Sequence, residues 1–400
     1  MTTSLSPLFT IDELEAAFQW VKTLRKDYSP HSDIWHLRRD WKHIKNKILA
    51  QLNDGSYQFS LLDRYEFDDA IISLWSSQDM IALKLIAQSL HQQMNEHMPK
   101  SCYHVKGHGG LKKAVTHTYE ALPKYQYVLR SDIRSYYDSI RFDILMKIIE
   151  SYVKSPVLLN LVQKACHRTE TRGGIFYDHD SKGIPMGSPL SPLLGAIALI
   201  PLDHAMSRIN NIFYARYMDD WVVLTRSKSA LRKIVKITHN IVKALKLQLH
   251  PHKTYIGKIS HGFNFLAYYM DDQKILPSKE TIRRFHERAA TLYEPSQISK
   301  NRCRRYKKTV SDRDISDYQV NEAAPTDEYF KNILAYLLSR AALKPDIFAT
   351  MRRYVGRWTR WLKSGLRTLT AFDTSVQMQL PCIFSCWIQG AKVLTLGESL

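Results

Sequence analysis

The chain has 400 residues, 44% hydrophobic and 24% charged. That is the balance of a folded protein, and the length exceeds what one core supports, so two or three subdomains are expected. Lys and Arg number 57 against 38 Asp and Glu, a formal net charge of +19, which points to a polyanionic partner, nucleic acid or anionic membrane. No apolar run reaches the roughly 18 residues of a membrane span. The opening "MTTSLSPLFTIDELEAAF" lacks the basic-then-apolar order of a signal peptide. Nucleic acid in the cytoplasm is the partner these features leave, and no membrane role is expected. The five cysteines, at 102, 166, 303, 382 and 386, form no CxxC pair, so a structural zinc is not expected.

In chain order, residues 10–25 read as an amphipathic helix with a capping box of Thr10 and Glu13. A second helix is expected from Ser32, as its cap, to Leu52, ended by Gly55. "SYQFSLL" and "AIISLWSS" then read as strands separated by a charged loop, and Asp79–Met94 as a third helix. "VKGHGGLKKAV" is a Gly-rich basic loop that feeds a helix. Lys106, Lys112 and Lys113 supply charge there, in neither the Rossmann nor the Walker spacing.

"YVLRSDIRSYYDSI" opens as a strand with Asp132 at its far end, followed by a helix over "FDILMKIIESYV". "GGIFYDHDSKGIP" reads as a hairpin turning at Asp178–Lys182, where turn chemistry explains Asp178, His179 and Asp180 better than a metal site does. "MGSPLSPLLGAIALIPLDHAM" is a loop leading into one long apolar helix. In "YARYMDDWVVLT", Asp219 and Asp220 sit in a turn between two short apolar strands. A helix over "SALRKIVKITHNIVKALKL" and short paired strands over 247–270 come next. "ETIRRFHERAATLYE" is a basic helix. "KNRCRRYKK" concentrates Lys300, Arg302, Arg304, Arg305, Lys307 and Lys308, a polar linker follows, and two further basic, aromatic helices are expected.

Asp132 and the Asp219–Asp220 pair lie about 87 positions apart, at the kinds of place where strand ends can meet. Converging carboxylates need compensating positive charge, and an all-oxygen set suits Mg²⁺. Two such ions can activate an attacking hydroxyl and steady a leaving phosphate. Alone, "YMDD" is equally a solvated hairpin turn.

The order of motifs resembles the reverse transcriptases, specifically the bacterial retron and group II intron-like branch. The resemblance covers about 50–270, with a looser match to about 370. "SDIRSYYDSI" resembles the family's first catalytic motif, "GIPMGSPLSPLLGAI" the second, "YMDD" the third and "LHPHKT" the fourth. "GFNFLAYYM" resembles the primer-grip hairpin. The resemblance implies an α+β right-hand polymerase fold. Its parts would be an N-terminal helical extension over 1–56, fingers over 57–125, a palm over 126–270 and a basic helical thumb over 271–400.

It also implies RNA-directed DNA polymerase activity with two Mg²⁺ ions, for which Mn²⁺ could substitute. Asp132, Asp219 and Asp220 would be the catalytic acids, and the Ile133 carbonyl would join them at the metals. Tyr137 would lie under the incoming sugar and exclude a 2′-hydroxyl. Met186, Gly187, Lys253 and Arg64 would contact the dNTP. Lys106, Lys112, Lys113, Arg302, Arg304, Arg305, Lys307 and Lys308 would contact nucleic acid. Met186 departs from the family's usual Gln, and "FLAYY" from its "FLGY". The implied partners are an RNA template, here a structured non-coding RNA, a DNA primer or product, and dNTPs in a bacterial cytoplasm. Three roles stay open: an antiphage enzyme of the "unknown group", a retron-type enzyme primed from its own RNA, and a non-catalytic RNA-binding or maturase-like scaffold.

Overall fold

The structure is a computed structural model that describes residues 7–67, 70–185 and 187–293, together with 354, 357, 358 and 361. Its fold is mixed α+β. In chain order the elements are α1 (Ile11–Leu24), α2 (Asp33–Asp54), β1 (Leu62–Phe67), β2 (Ala70–Leu74), α3 (Ser77–Met94), α4 (Gly110–Ala121), β3 (Tyr127–Ser131), α5 (Tyr136–Ser139) and α6 (Phe142–Glu150). Then follow α7 (Pro156–Cys166), β4 (Arg168–Arg172), β5 (Ile175–His179), α8 (Ser191–Ala198), α9 (Ile200–Ser207), β6 (Ile212–Tyr217), β7 (Asp220–Thr225) and α10 (Lys228–Ala244). The last are β8 (Tyr255–Lys258), β9 (Phe263–Phe265), β10 (Tyr268–Met270), β11 (Ile275–Pro277) and α11 (Lys279–Tyr293). The described parts of 1–110 and 127–256 form one compact unit, and those of 111–126 and 257–400 another.

The first unit holds two sheets. One has the order β2-β1-β4-β5; the other runs β6-β7-β3-β8, with β8 beginning in this unit at Tyr255. Antiparallel β3 and β7 align Ser131 with Trp221 and Arg130 with Val222, while β6 and β7 pair Tyr217 with Asp220. Trp221, Val222, Val223 and Leu224 are fully buried, which explains the apolar run after the two aspartates. Helix α10 packs on β3 and β7 through Leu231, Ile234, Thr238 and Val242. The Thr10–Glu13 capping box forms as expected, and Gly55 closes α2 in the left-handed region at φ +76°. Ser32 stands at the cap position of α2, but its hydroxyl donates to Asp33 Oδ1 at 3.2 Å instead of capping.

Several expected elements move. "SYQFSLL" is not a strand. Buried Asp79 at the start of α3 accepts from Tyr57 Oη at 2.8 Å and from Ser60 N at 3.1 Å, which pins this segment in an irregular path. The strand β1 instead uses the charged run after it, whose Arg64 meets Glu170 of β4 at 3.5 Å. The β4–β5 hairpin turns at Gly173 and Gly174, both at positive φ, not at 178–182. Asp178 is therefore a strand residue, accepting from Thr169 Oγ1 at 2.6 Å. The long apolar helix is two helices, α8 and α9, broken at Leu199, where Pro201 enters the first turn of α9 without an amide hydrogen.

The second unit contains the sheet β11-β10-β9 and helix α11. Lys112, at the start of α4, donates to Tyr268 Oη and lies 3.6 Å from the centroid of Trp361, which itself stacks on Tyr268. Burial lowers the Lys112 ammonium to about 8. Trp358 packs on Phe285 at 4.2 Å. The basic run 300–308, the linker and the bulk of the last two helices lie outside the described residues.

Candidate active site

Strand β3 ends at Ser131, and the next residue, Asp132, is 6% exposed. Its carbonyl accepts from His250 N at 2.8 Å, and Arg134 N donates to Gln248 O at 2.9 Å. The chain leaving β3 is thereby stitched to the 248–250 segment. Asp132 Oδ2 accepts from Lys253 Nζ at 2.8 Å, whereas Oδ1 is buried with no hydrogen-bond partner among the described residues.

The β6–β7 pairing leaves Met218 and Asp219 as a two-residue turn, with Met218 at φ +58°. A non-glycine residue in the left-handed region needs support from its surroundings. Two contacts supply it. Met218 N donates to His104 Nδ1 at 2.9 Å, and Arg216 Nη1 donates to Met218 O at 2.8 Å.

Arg216 is itself anchored. It and Asp203 of α9 are fully buried and paired, and Asp203 also accepts from Tyr214 Oη at 2.7 Å. His104 reaches the turn because residues 101–103 run beside β6: Arg216 N donates to Ser101 O, and Tyr103 N to Arg216 O, each at 2.8 Å. Nδ1 accepts, so the imidazole proton sits on Nε2, which is buried without a partner among the described residues. Burial pushes this histidine down to about 3, and the Arg216 charge adds to the effect.

The β3–β7 register puts Asp132 and the Asp219–Asp220 turn at the same end of the sheet. Burial, followed by the Asp132 carboxylate, raises Asp219 to about 6. Asp220 is raised to about 6 as well, by burial, although Arg130 opposes the shift. Arg130 holds Asp220 through two bonds, Nε to Oδ1 at 3.1 Å and Nη2 to Oδ2 at 2.8 Å, and also donates to Lys253 O at 2.5 Å. Cations thus engage Asp132 and Asp220, and among the described residues no ion pair is formed by Asp219.

Among those residues, no group of three His, Cys, Asp or Glu side chains is closed to metal-ligand spacing. The donor set nonetheless fits a hard divalent cation. It is all oxygen, one carboxylate oxygen of Asp132 has no partner, and two neighbouring carboxyls are raised by burial with an added like-charge contribution.

Tyr137 of α5 lies beside the turn, its Oη 3.5 Å from Met218 Sδ. Burial, then Asp219, pushes its phenol up to about 12. A Cβ added at Gly195 of α8 would stand 3.4 Å from the rings of both Tyr136 and Tyr137, so the glycine allows this close approach. Tyr137 and Gly187, the latter at φ +88°, line one apolar cavity of about 380 Å³ with Trp20, Met80, Pro189 and Pro192. Lys253 sits in the cluster, and Arg64 meets Glu170 at 3.5 Å and lies over the Tyr177 ring at 4.2 Å. Lys106 and Lys113 are exposed; Lys112 is half-buried between aromatic rings. Ile133 is buried and bridges to Leu249. Met186, Arg302, Arg304, Arg305, Lys307 and Lys308 lie outside the described residues. Sequence reasoning missed His104, Arg130, Asp203 and Arg216. The last three left a signal, a charged residue inside an apolar strand or helix.

The family described as "Reverse transcriptase (RNA-dependent DNA polymerase)" matches residues 71–272, just over half of the chain and a span that includes all three acids. The chain belongs to this reverse transcriptase family. It is 25% identical over 177 residues to "Protein YkfC" of Escherichia coli (strain K12), covering 36% of this chain and 46% of that protein. It is 22% identical over 186 residues to an "Uncharacterized 91 kDa protein in cob intron" of Schizosaccharomyces pombe, covering 42% of this chain and 22% of that protein. The chain thus spans less than half the length of either relative. Among the described residues of this reverse transcriptase, no helix is long and apolar enough to cross a membrane.

Proposed function

We propose that this reverse transcriptase is an active RNA-directed DNA polymerase. The observation that carries the reading is the convergence of Asp132 with the Asp219–Asp220 turn, where one buried carboxylate oxygen has no hydrogen-bond partner among the described residues. In this reading a primer 3′-hydroxyl attacks the α-phosphate of a dNTP. The new P–O bond forms as the bond to pyrophosphate breaks. Asp132, Asp219 and the Ile133 carbonyl are the groups that would hold two Mg²⁺ ions. Bound there, the ions would acidify the attacking hydroxyl and neutralise the leaving phosphate.

The other residues act through position. Lys253, 2.8 Å from Asp132, would bring its charge to the triphosphate. Tyr137 forms the floor on which the sugar rests, and Gly187 borders the same cavity. Asp220, paired on both oxygens with Arg130, would act with the other two acids by setting the charge of the site or as a further ligand. In the right-hand description, 57–125 would be fingers, 126–270 palm and 271–400 thumb, with Lys106, Lys113 and the 300–308 run tracking the backbone.

The test is Mg²⁺-dependent dNTP incorporation on a primed RNA, with Asp219→Asn as control. Equal, background-level incorporation by both folded proteins overturns the reading. The presence of all three acids, Asp132, Asp219 and Asp220, favours an enzyme over a silent scaffold. We further propose a structured non-coding RNA template and an antiphage role. Sequencing RNA and cDNA that co-purify from cells, and plaque counts with and without Asp219→Asn, decide that point against retron-type self-priming.

A further inference from the structure

From Trp221 through Met270 the chain carries nine Lys or Arg and not one Asp or Glu. Much of that charge lies on α10. Lys228, Arg232, Lys233, Lys236 and Lys243 are exposed, with exposed Lys246 just beyond its end. At about 100° per residue, Lys228, Arg232, Lys236, His239 and Lys243 fall within an arc of about 80°, on the side away from Leu231, Ile234 and Thr238. The stripe from Lys228 to Lys243 is about 22 Å long at 1.5 Å per residue.

None of these cations forms an ion pair among the described residues, and no acid stands in the helix's first turn. Such an arrangement opposes helix stability. Like charges meet at i,i+4 in Lys228/Arg232 and Arg232/Lys236, and Lys228 faces the positive end of the dipole. The contrast is α11, also basic, whose Arg283 and Arg284 are met by Glu280 and Glu287 at 2.5–2.7 Å. An ordinary solvated face is balanced in the manner of α11; α10 is left unbalanced on a rigid support.

We propose that this face of α10 is a docking surface for the phosphate backbone of folded RNA, separate from the carboxylate site at the end of the sheet on which α10 packs. The choice of RNA over another polyanion rests on the proposed polymerase activity. Phosphates along one edge of a duplex would neutralise the stripe and release counterions.

The test uses the full chain and a labelled RNA hairpin with a blocked 3′ end, so that binding is read without extension. Substituting Arg232→Gln, Lys236→Gln and Lys243→Gln together is expected to weaken binding at least tenfold at about 0.15 M salt. It should also flatten the log–log salt dependence by about two to three, near 0.9 per lost phosphate contact. Thermal stability should hold or rise, because repulsion is removed. The control variant Lys26→Gln, Lys42→Gln, Lys47→Gln loses the same charge from exposed positions elsewhere. Equal losses in the two variants, or no loss in the α10 variant, overturn the proposal. So does an α10 variant that loses binding to phosphatidylserine vesicles while keeping the hairpin. Asp219→Asn should bind the hairpin like the unmodified protein, so a failed polymerase assay and a failed docking surface are distinguishable.

Discussion

The turn that carries Asp219 depends on a histidine that touches neither carboxylate. Met218 holds φ +58°, a conformation that costs a non-glycine residue on the order of 1–3 kcal/mol. Its amide is satisfied by His104 Nδ1 at 2.9 Å and its carbonyl by Arg216 at 2.8 Å. His104→Ala leaves that amide without its acceptor in a partly buried place, at roughly 1–3 kcal/mol. Expressed fully in the geometry of the turn, this is about a 5- to 150-fold fall in kcat. The KM for dNTP should change much less, because His104 holds the carboxylate turn and not the cavity lined by Tyr137 and Gly187. His104→Asn returns an acceptor near the Nδ1 position and should recover much of the loss, which a mere packing role would not predict. The assay is steady-state incorporation on primed RNA, with thermal melting of each variant. The reasoning is refuted if folded His104→Ala keeps kcat within twofold of the unmodified protein, or if His104→Asn is no better than the alanine variant.

Four further outcomes follow from the same geometry. His104 is depressed to about 3, so folding favours the neutral ring: the stability involved is complete above pH 6.5 and is lost as pH falls from there towards 3, at about 1.4 kcal/mol per unit. His104→Asn should flatten that acid limb in melting curves recorded from pH 7 to 5. Mg²⁺ should raise the melting temperature of the unmodified chain by mass action, and Asp132→Asn or Asp219→Asn should abolish most of the shift. Arg216→Met strands the fully buried Asp203 carboxylate and should destabilise by about 3–5 kcal/mol, read as a lower denaturant midpoint. Gly262 sits at φ +73°, with an added Cβ falling 2.0 Å from Tyr269 Oη, so Gly262→Ala should cost about 1–3 kcal/mol in the same measurement.

Legibility divides by the range of the interaction. Local signals read well. Thr10 and Glu13 form their box, Gly55 closes α2, Asp132 directly follows its strand and Asp219–Asp220 sit at a hairpin turn, because each depends on neighbours within a few residues. The failures are long-range. "SYQFSLL" has strand composition, yet Tyr57 and Ser60 are drawn to Asp79, some 20 positions on. The charged run of β1 reads as loop until Glu170, 106 positions beyond Arg64, supplies a partner. His104 had no legible role, since its partner is an amide 114 residues away. The Gly173–Gly174 turn was the exception, a local signal that lost out to the more polar segment beside it.

The three acids that look alike in sequence are made unlike by the cations around them. Asp220 is gripped on both oxygens by Arg130, and Arg130 also holds the Lys253 carbonyl. Lys253 in turn reaches one oxygen of Asp132. A single arginine therefore links the turn, the strand end and the 250–254 segment. Asp132 keeps one oxygen without a partner, and Asp219 keeps both clear of any ion pair among the described residues. Of the three acids, Asp219 is therefore the one whose charge no cation among the described residues pairs. Arg130→Lys should separate the roles: it keeps the charge but loses the forked pairing. A fall in activity with Mg²⁺-dependent stabilisation preserved would assign Arg130 and Asp220 to alignment. Loss of both would place Asp220 among the ligands instead.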